Sequence, residues 1–165
     1  MESYNEINGD LITLALCGNF DVILQGCNCQ CVMFAGISVP MKITFGTDKF
    51  RMENERFKGD INKLGNIDFE VKSLNYGINE FNLTIINCYT QLYYGMNHPD
   101  GHTKPADYEA LTLCLRKINY KFKGLRIGLP LICGGLAGGN PELIKNIIKR
   151  ELKDCYTTLV LFKKL

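Results

Sequence analysis

Apolar residues along this chain gather into short continuous runs, separated by stretches in which they recur at helical spacing. Asp21-Val22-Ile23-Leu24-Gln25, Leu83-Thr84-Ile85-Ile86-Asn87-Cys88-Tyr89, Leu125-Arg126-Ile127-Gly128-Leu129-Pro130-Leu131-Ile132 and Thr157-Thr158-Leu159-Val160-Leu161-Phe162 are runs of the first kind. Such runs predict strands of a sheet covered on both faces, because an exposed face would impose polar alternation. A further short strand precedes Asn8-Gly9. From Asp107 onward, Leu111, Leu115, Ile118 and Phe122 fall on one helical face, and Gly124 supplies a stop. A second helix opens at Asn140-Pro141-Glu142, which joins an N-cap, a proline at the first helical position and a first-turn acid. Its apolar positions are Leu143, Ile144, Ile147, Ile148 and Leu152. A third helix follows Gly36, with Pro40 near its start. Phe69 to Leu74 and Phe81 to Leu83 flank Asn75-Tyr76-Gly77 and predict a hairpin. Thr47 to Asn66 is polar and charged, and predicts a helix with surface loop. Strands alternating with helices, with no linker, repeat or low-complexity tract, predict one α/β domain over residues 1–165 with a mixed sheet.

Composition narrows the partners. Of the 165 residues 46 % are hydrophobic and 22 % charged, ordinary for a globular protein. A net charge of +2, with no Lys/Arg run interleaved with aromatics, gives no strong nucleic-acid signal. Lys145, Lys149, Arg150, Lys153, Lys163 and Lys164 read as a solvated face. There is no basic leader, and no apolar stretch reaches the ~18 residues of a membrane span, so no membrane partner and a cytoplasmic, intracellular location are expected. The eight cysteines are then expected as reduced thiols. Cys27, Cys29 and Cys31 raise a zinc reading, but the second pair or histidines of a structural site are missing. They read instead as small buried residues at a strand exit, and neither metal nor cofactor is expected.

Two glycine-rich loops follow strands and precede helices. Cys133-Gly134-Gly135-Leu136-Ala137-Gly138-Gly139, ahead of the Asn140 helix, suits a phosphate: glycines let the backbone approach, and a helix N-terminus adds positive partial charge. No Lys-Ser/Thr follows, so it is not a Walker loop, and it lacks the dinucleotide G-x-G-x-x-G pattern with its later acid. The other loop runs from Gln25 to Ile37 and places Asn28 where a carboxamide can reach a sugar hydroxyl. Two strand ends thereby converge on one cleft. Asp10, after Gly9, can accept from an exocyclic amine or close an Asx-turn.

Gly9-Asp10-Leu11, then Gly26-Cys27-Asn28-Cys29 with Ala35-Gly36-Ile37, then Gly135-Leu136-Ala137-Gly138-Gly139, resemble the successive ligand motifs of macrodomains. Thr90-Gln91 and Asp107-Tyr108-Glu109-Ala110 also fit. The resemblance runs from about Tyr4 to Phe162 and is nearest to ADP-ribose 1″-phosphate phosphatases, terminal ADP-ribose protein glycohydrolases and their phage-encoded relatives. It implies a three-layer α/β/α macrodomain with a central mixed sheet. It also implies a cleft for ADP-ribose or a derivative, free or attached to an ADP-ribosylated macromolecule. Asp10 would bond the adenine amine, Leu11 would contact it through its backbone, and Phe162 would border the base. Asn28 would sit at the distal ribose and is the one catalytic candidate. Ala35, Gly36 and Ile37 would wrap one side of the diphosphate, with Ile132, Cys133, Gly134, Gly135, Leu136, Ala137 and Gly138 forming the other wall.

The chain departs from that pattern where acid–base groups are expected. Gln25 stands in a histidine position, Asn140 in that of an aspartate, Gln91 in that of a nucleophilic lysine and Ala137 in that of an acid. Phe34 and Cys133 replace loop glycines, and Phe34 is expected to intrude at the distal-ribose end. His98 and His102, in the loop from Met96 to Lys104, read as solvated. Cys27, Cys29 and Cys133 are potential nucleophiles without an activating base. The expected function is therefore a reader or sequestering module for ADP-ribose. The alternative is a hydrolase acting on ADP-ribose 1″-phosphate or removing ADP-ribose from a macromolecule.

Overall fold

Five parallel strands and one antiparallel edge strand form the sheet, with helices on both faces. The computed structural model describes residues 2–95, 106–135 and 137–163. In chain order these contain β1 (Tyr4–Asn8), α1 (Leu11–Leu16), β2 (Val22–Asn28), α2 (Ser38–Phe45), β3 (Ile67–Tyr76), β4 (Asn79–Gln91), α3 (Tyr108–Lys121), β5 (Arg126–Leu129), α4 (Pro141–Glu151) and β6 (Tyr156–Leu161). The sheet order is β1-β6-β5-β2-β4-β3, and only the β3–β4 pair is antiparallel. That pair is the expected hairpin, but Asn75 and Tyr76 pair with Glu80 and Asn79 instead of turning, and the turn falls at Gly77-Ile78, where the Gly77 φ of 61° suits glycine. All five parallel strands end on one edge of the sheet, so the loops that follow them share a rim.

Alternation along β2 shows how the strands seed two cores. Val22 and Leu24 pack with Leu111, Leu115, Ile118, Ile144 and Ile148 of α3 and α4. Ile23 points to the other face, with Leu11 and Ala15 of α1 and Met41 and Phe45 of α2. The outcome is the three-layer α/β/α arrangement expected from the sequence. Both predicted helix starts hold. Asp107 Oδ1 accepts from the Ala110 N–H at 2.9 Å, and Asn140 Oδ1 from the Leu143 N–H at 3.1 Å. Leu143 itself is exposed, so the buried face of α4 is carried by its isoleucines.

Three local readings need correction. β5 stops at Leu129 rather than Ile132. Pro130 has no N–H to give a neighbour strand, and its carbonyl accepts from the Ile132 N–H at 2.8 Å in a three-residue turn. Leu11–Leu16 is a helix where the sequence predicts none, capped by Asp10, whose Oδ1 accepts from the Thr13 N–H at 2.8 Å. Thr47 to Asn66 holds four separate 3-10 turns rather than a helix with surface loop. Thr47, Phe50, Glu53 and Lys63 within it are buried. No helix among the described residues is long and apolar enough to cross a membrane.

Candidate functional site

The rim carries a cavity of about 350 Å³ between the ends of β2, β4 and β5. Its first wall is the loop leaving β2, from Asn28 through Val32, Met33 and Phe34 to Ala35, Gly36 and Ile37. The opposite wall is Pro130, Leu131, Ile132 and Cys133, with Gly135 and Ala137. The floor is tight at Gly26, where a Cβ would lie 2.8 Å from Ile132 Cγ2 and 3.1 Å from Thr90 Oγ1. Only glycine there keeps β2 flush under the cavity.

Asn28 organises the first wall. Its Oδ1 accepts from the Gln30 N–H at 3.0 Å and the Val32 N–H at 3.3 Å, while Nδ2 donates to the Val32 carbonyl at 2.9 Å. Its carboxamide thus staples the loop, and its second amide hydrogen is the group it can offer a sugar hydroxyl. The chain then passes Cys31 at φ 58° and Gly36 at φ 62°, and α2 opens onto the cavity through Ile37 and Ser38. The positive end of that helix faces the space beside Ala35 and Gly36.

The second wall is built from backbone. Gly134, Gly138 and Gly139 donate to the carbonyls of Leu131, Gly135 and Cys133 at 3.1, 2.9 and 2.7 Å. Gly134 and Gly138, expected in the ligand wall, thus spend their N–H groups inside the loop, as does Gly139. Cys133 holds φ 65°, the left-handed conformation that favours glycine. Leu136 lies outside the described residues, as do His98, His102 and the loop from Met96 to Lys104.

The remaining candidates form a separate shelf at the ends of β1 and β6. Asn8 pairs with Leu161, which sets Gly9, Asp10 and Leu11 beside Phe162. Phe162 is 69 % exposed, whereas the Leu11 side chain is in the core. None of these residues lines the cavity. From β1 to β2 is three inter-strand steps, about 15 Å at about 4.8 Å each.

Titratable groups are scarce in the cavity. Among its described lining residues there is no carboxylate, lysine, arginine or histidine. Burial raises the Cys133 thiol to about 12 and drives Cys27 well above its ordinary value, so both stay protonated at neutral pH. Cys29, also raised to about 12 by burial, is fully enclosed. Gln25 is fully buried away from the cavity: its Nε2 donates to Asn87 Oδ1 at 2.9 Å, and Asn87 Nδ2 to the Thr47 carbonyl at 3.0 Å. Gln91 Nε2 donates to the Tyr93 carbonyl at 2.9 Å. Phe34 does not fill the cleft. It is 66 % exposed at the mouth and meets Tyr94 edge-on with ring centroids 5.6 Å apart. Tyr94 was absent from the sequence-based site, since nothing local in Tyr93-Tyr94-Gly95 marks it as a cleft residue.

No family model and no curated protein matches the chain. Solved structures do. A protein of unknown function from Bacteroides thetaiotaomicron is 25 % identical with a TM-score of 0.68, covering 99 % of both chains. The macrodomain of Mycobacterium tuberculosis DarG is 17 % identical with a TM-score of 0.66, covering 98 % of each. Thermosipho africanus DarTG in complex with ADP-ribose gives 0.73 at 13 % identity, covering 100 % of this chain and 43 % of that one. A mixed six-stranded sheet between two helical layers, with a cleft at the carboxyl edge, defines a three-layer α/β/α architecture. Within that class the chain has the macrodomain fold.

Proposed function

We propose that the cleft binds ADP-ribose or an ADP-ribose derivative, and that the protein acts as a reader or sequestering module for it. The observation that carries this reading is a cavity of about 350 Å³ at the carboxyl edge with no acid–base pair among its described lining residues. Such a wall positions a diphosphate and ribose through backbone groups and the α2 N-terminus, and offers little for proton transfer. The ADP-ribose complex of the Thermosipho africanus protein supports the same ligand class. The diphosphate would lie between Ala35-Gly36-Ile37 and Gly135-Ala137, the distal ribose beside Asn28, and the adenine on the Asp10–Phe162 shelf. On this reading residues 1–165 act as one domain.

Calorimetry with ADP-ribose tests the proposal. Saturable one-site binding is expected, and no heat with ADP-ribose or any of its derivatives would overturn it. Asn28→Ala should weaken binding about tenfold, equivalent to 1.4 kcal/mol. It should also cost about 1–3 kcal/mol of stability, because it unpins Gln30 and Val32. The hydrolase alternative rests on Asn28 at the cavity wall. Concentrated protein that releases phosphate from ADP-ribose 1″-phosphate, with release lost in Asn28→Ala, would replace the reader by that enzyme.

A further inference from the structure

Behind the first wall, outside the cleft, a thiol, an amine and a carboxyl are packed together. Lys63 and Glu53 side chains are only 1 % and 2 % exposed, with Nζ 3.7 Å from Oε2. The Lys63 amine lies 3.3 Å from Cys31 Sγ and 3.4 Å from the Cys29 carbonyl, and 4.6 Å from the centre of the Tyr89 ring. Both Glu53 oxygens are buried, and the nearest cation is held at ion-pair distance rather than within a normal hydrogen bond. Cys31 is the least enclosed of the three, being only partly buried. Its thiol also lies 3.8 Å from the Met52 and Asn54 carbonyls, and its backbone is left-handed at φ 58°. Salt-bridged lysines normally keep their ammonium in water; here it is enclosed beside a sulfur within near-contact distance.

We infer that Cys31 and Lys63 are an oxidative cross-linking site, at which hydrogen peroxide joins Sγ to Nζ in a sulfenamide. The thiol first attacks peroxide: an S–O bond forms, the O–O bond breaks, and one water leaves, giving the sulfenic acid. The Lys63 amine, its extra proton passed to Glu53, then attacks that sulfur. The N–S bond forms, the S–O bond breaks, and the second water carries off the hydroxyl with a proton from nitrogen. Sulfur is oxidised, peroxide is reduced, and the protein loses two hydrogens in all. Glu53 is suited to hold the proton, since burial lifts its carboxyl to about 7 with Lys63 and Cys31 pulling the other way. Burial also raises the Cys31 thiol, so the first step should quicken as pH rises. The bond would tie the loop that forms the first cleft wall to the 3-10 turn Ile61–Lys63.

Peroxide treatment of the intact protein, followed by digestion and tandem mass spectrometry, tests the site. The expected product is a peptide containing Cys31 joined to one containing Lys63, two hydrogens lighter than their sum and released by dithiothreitol. Lys63→Arg should abolish the joined peptide and leave Cys31 as a sulfenic acid that a cyclic dione captures. Cys31→Ser should abolish both products. Recovery of Cys31 from the wild-type protein as a disulfide with Cys29, as a sulfinic acid, or unmodified under the same exposure would overturn the proposal. The wild-type measurement stands even where a variant fails to fold.

Discussion

The two walls of the cleft are held by opposite means. The first is pinned by side chains: the Asn28 carboxamide within it and, behind it, the Lys63–Glu53 pair, whose amine donates to the Cys29 backbone carbonyl. The second is held by its own backbone, with glycine N–H groups turned onto neighbouring carbonyls and Cys133 forced into a glycine conformation. Charge is thus concentrated behind the ligand space, where it fixes geometry, and is absent from the described lining of that space. The two walls therefore respond to different kinds of substitution, the first to loss of a side-chain partner and the second to an added Cβ.

Removing the charge support is the most severe way to break this contrast. Lys63→Met leaves Glu53 buried without its partner, and should cost about 3 kcal/mol in chemical denaturation at pH 8. The cost should shrink at acid pH. Burial raises the Glu53 carboxyl from an ordinary 4.5 to about 7, so its protonated form favours the folded state. That contribution is complete below about 4.5 and is lost as pH climbs through about 7. Glu53→Gln added to Lys63→Met should recover most of the loss at pH 8. If the single variant is as stable as wild type at pH 8, the first wall does not depend on buried charge.

The second wall breaks through its backbone. A Cβ on Gly139 would stand 2.5 Å from the Cys133 carbonyl oxygen and 2.8 Å from Ile144 Cδ1. Since the first of those neighbours is main chain, Gly139→Ala should displace the loop and cost about 1–3 kcal/mol. Affinity for ADP-ribose should fall more steeply than in a surface control such as Lys153→Ala. Gly135→Ala is the sharper comparison, because nothing lies within 4 Å of its Cβ. Any loss of binding there reports contact with the ligand rather than with the fold.

These walls differ as much in how far the sequence discloses them. The α4 start is written in Asn140-Pro141-Glu142, and the strand cores in unbroken apolar runs, because each signal is local. The Asn28 loop and the glycine loop could be placed on one cleft for the same reason: each follows a strand. What stayed hidden was long-range. Glu53 and Lys63 sit in a polar stretch that reads as surface until folding encloses them under Tyr89. Leu11–Leu16, with apolar residues at nearly every position, shows no helical stripe, and its cap was indistinguishable from an Asx-turn. The internal bonding of the glycines was equally invisible, since composition does not say which way an N–H points.

Cys133 gives the finest test of the contrast, because there the second wall carries a side chain where its backbone asks for none. At φ 65° a residue with a Cβ pays roughly 1 kcal/mol that glycine does not. Against this stands the buried sulfur, packed with Ile132 and Ala137 on the α4 side of the sheet, whose loss costs on the order of 1 kcal/mol. Cys133→Gly should therefore change stability by less than about 1 kcal/mol, the two terms nearly cancelling. Cys133→Ala keeps the strained backbone and still removes the sulfur, so it should be the less stable of the two. Paired denaturation curves decide the matter: an alanine variant more stable than the glycine variant would mean that packing, not backbone conformation, governs this wall.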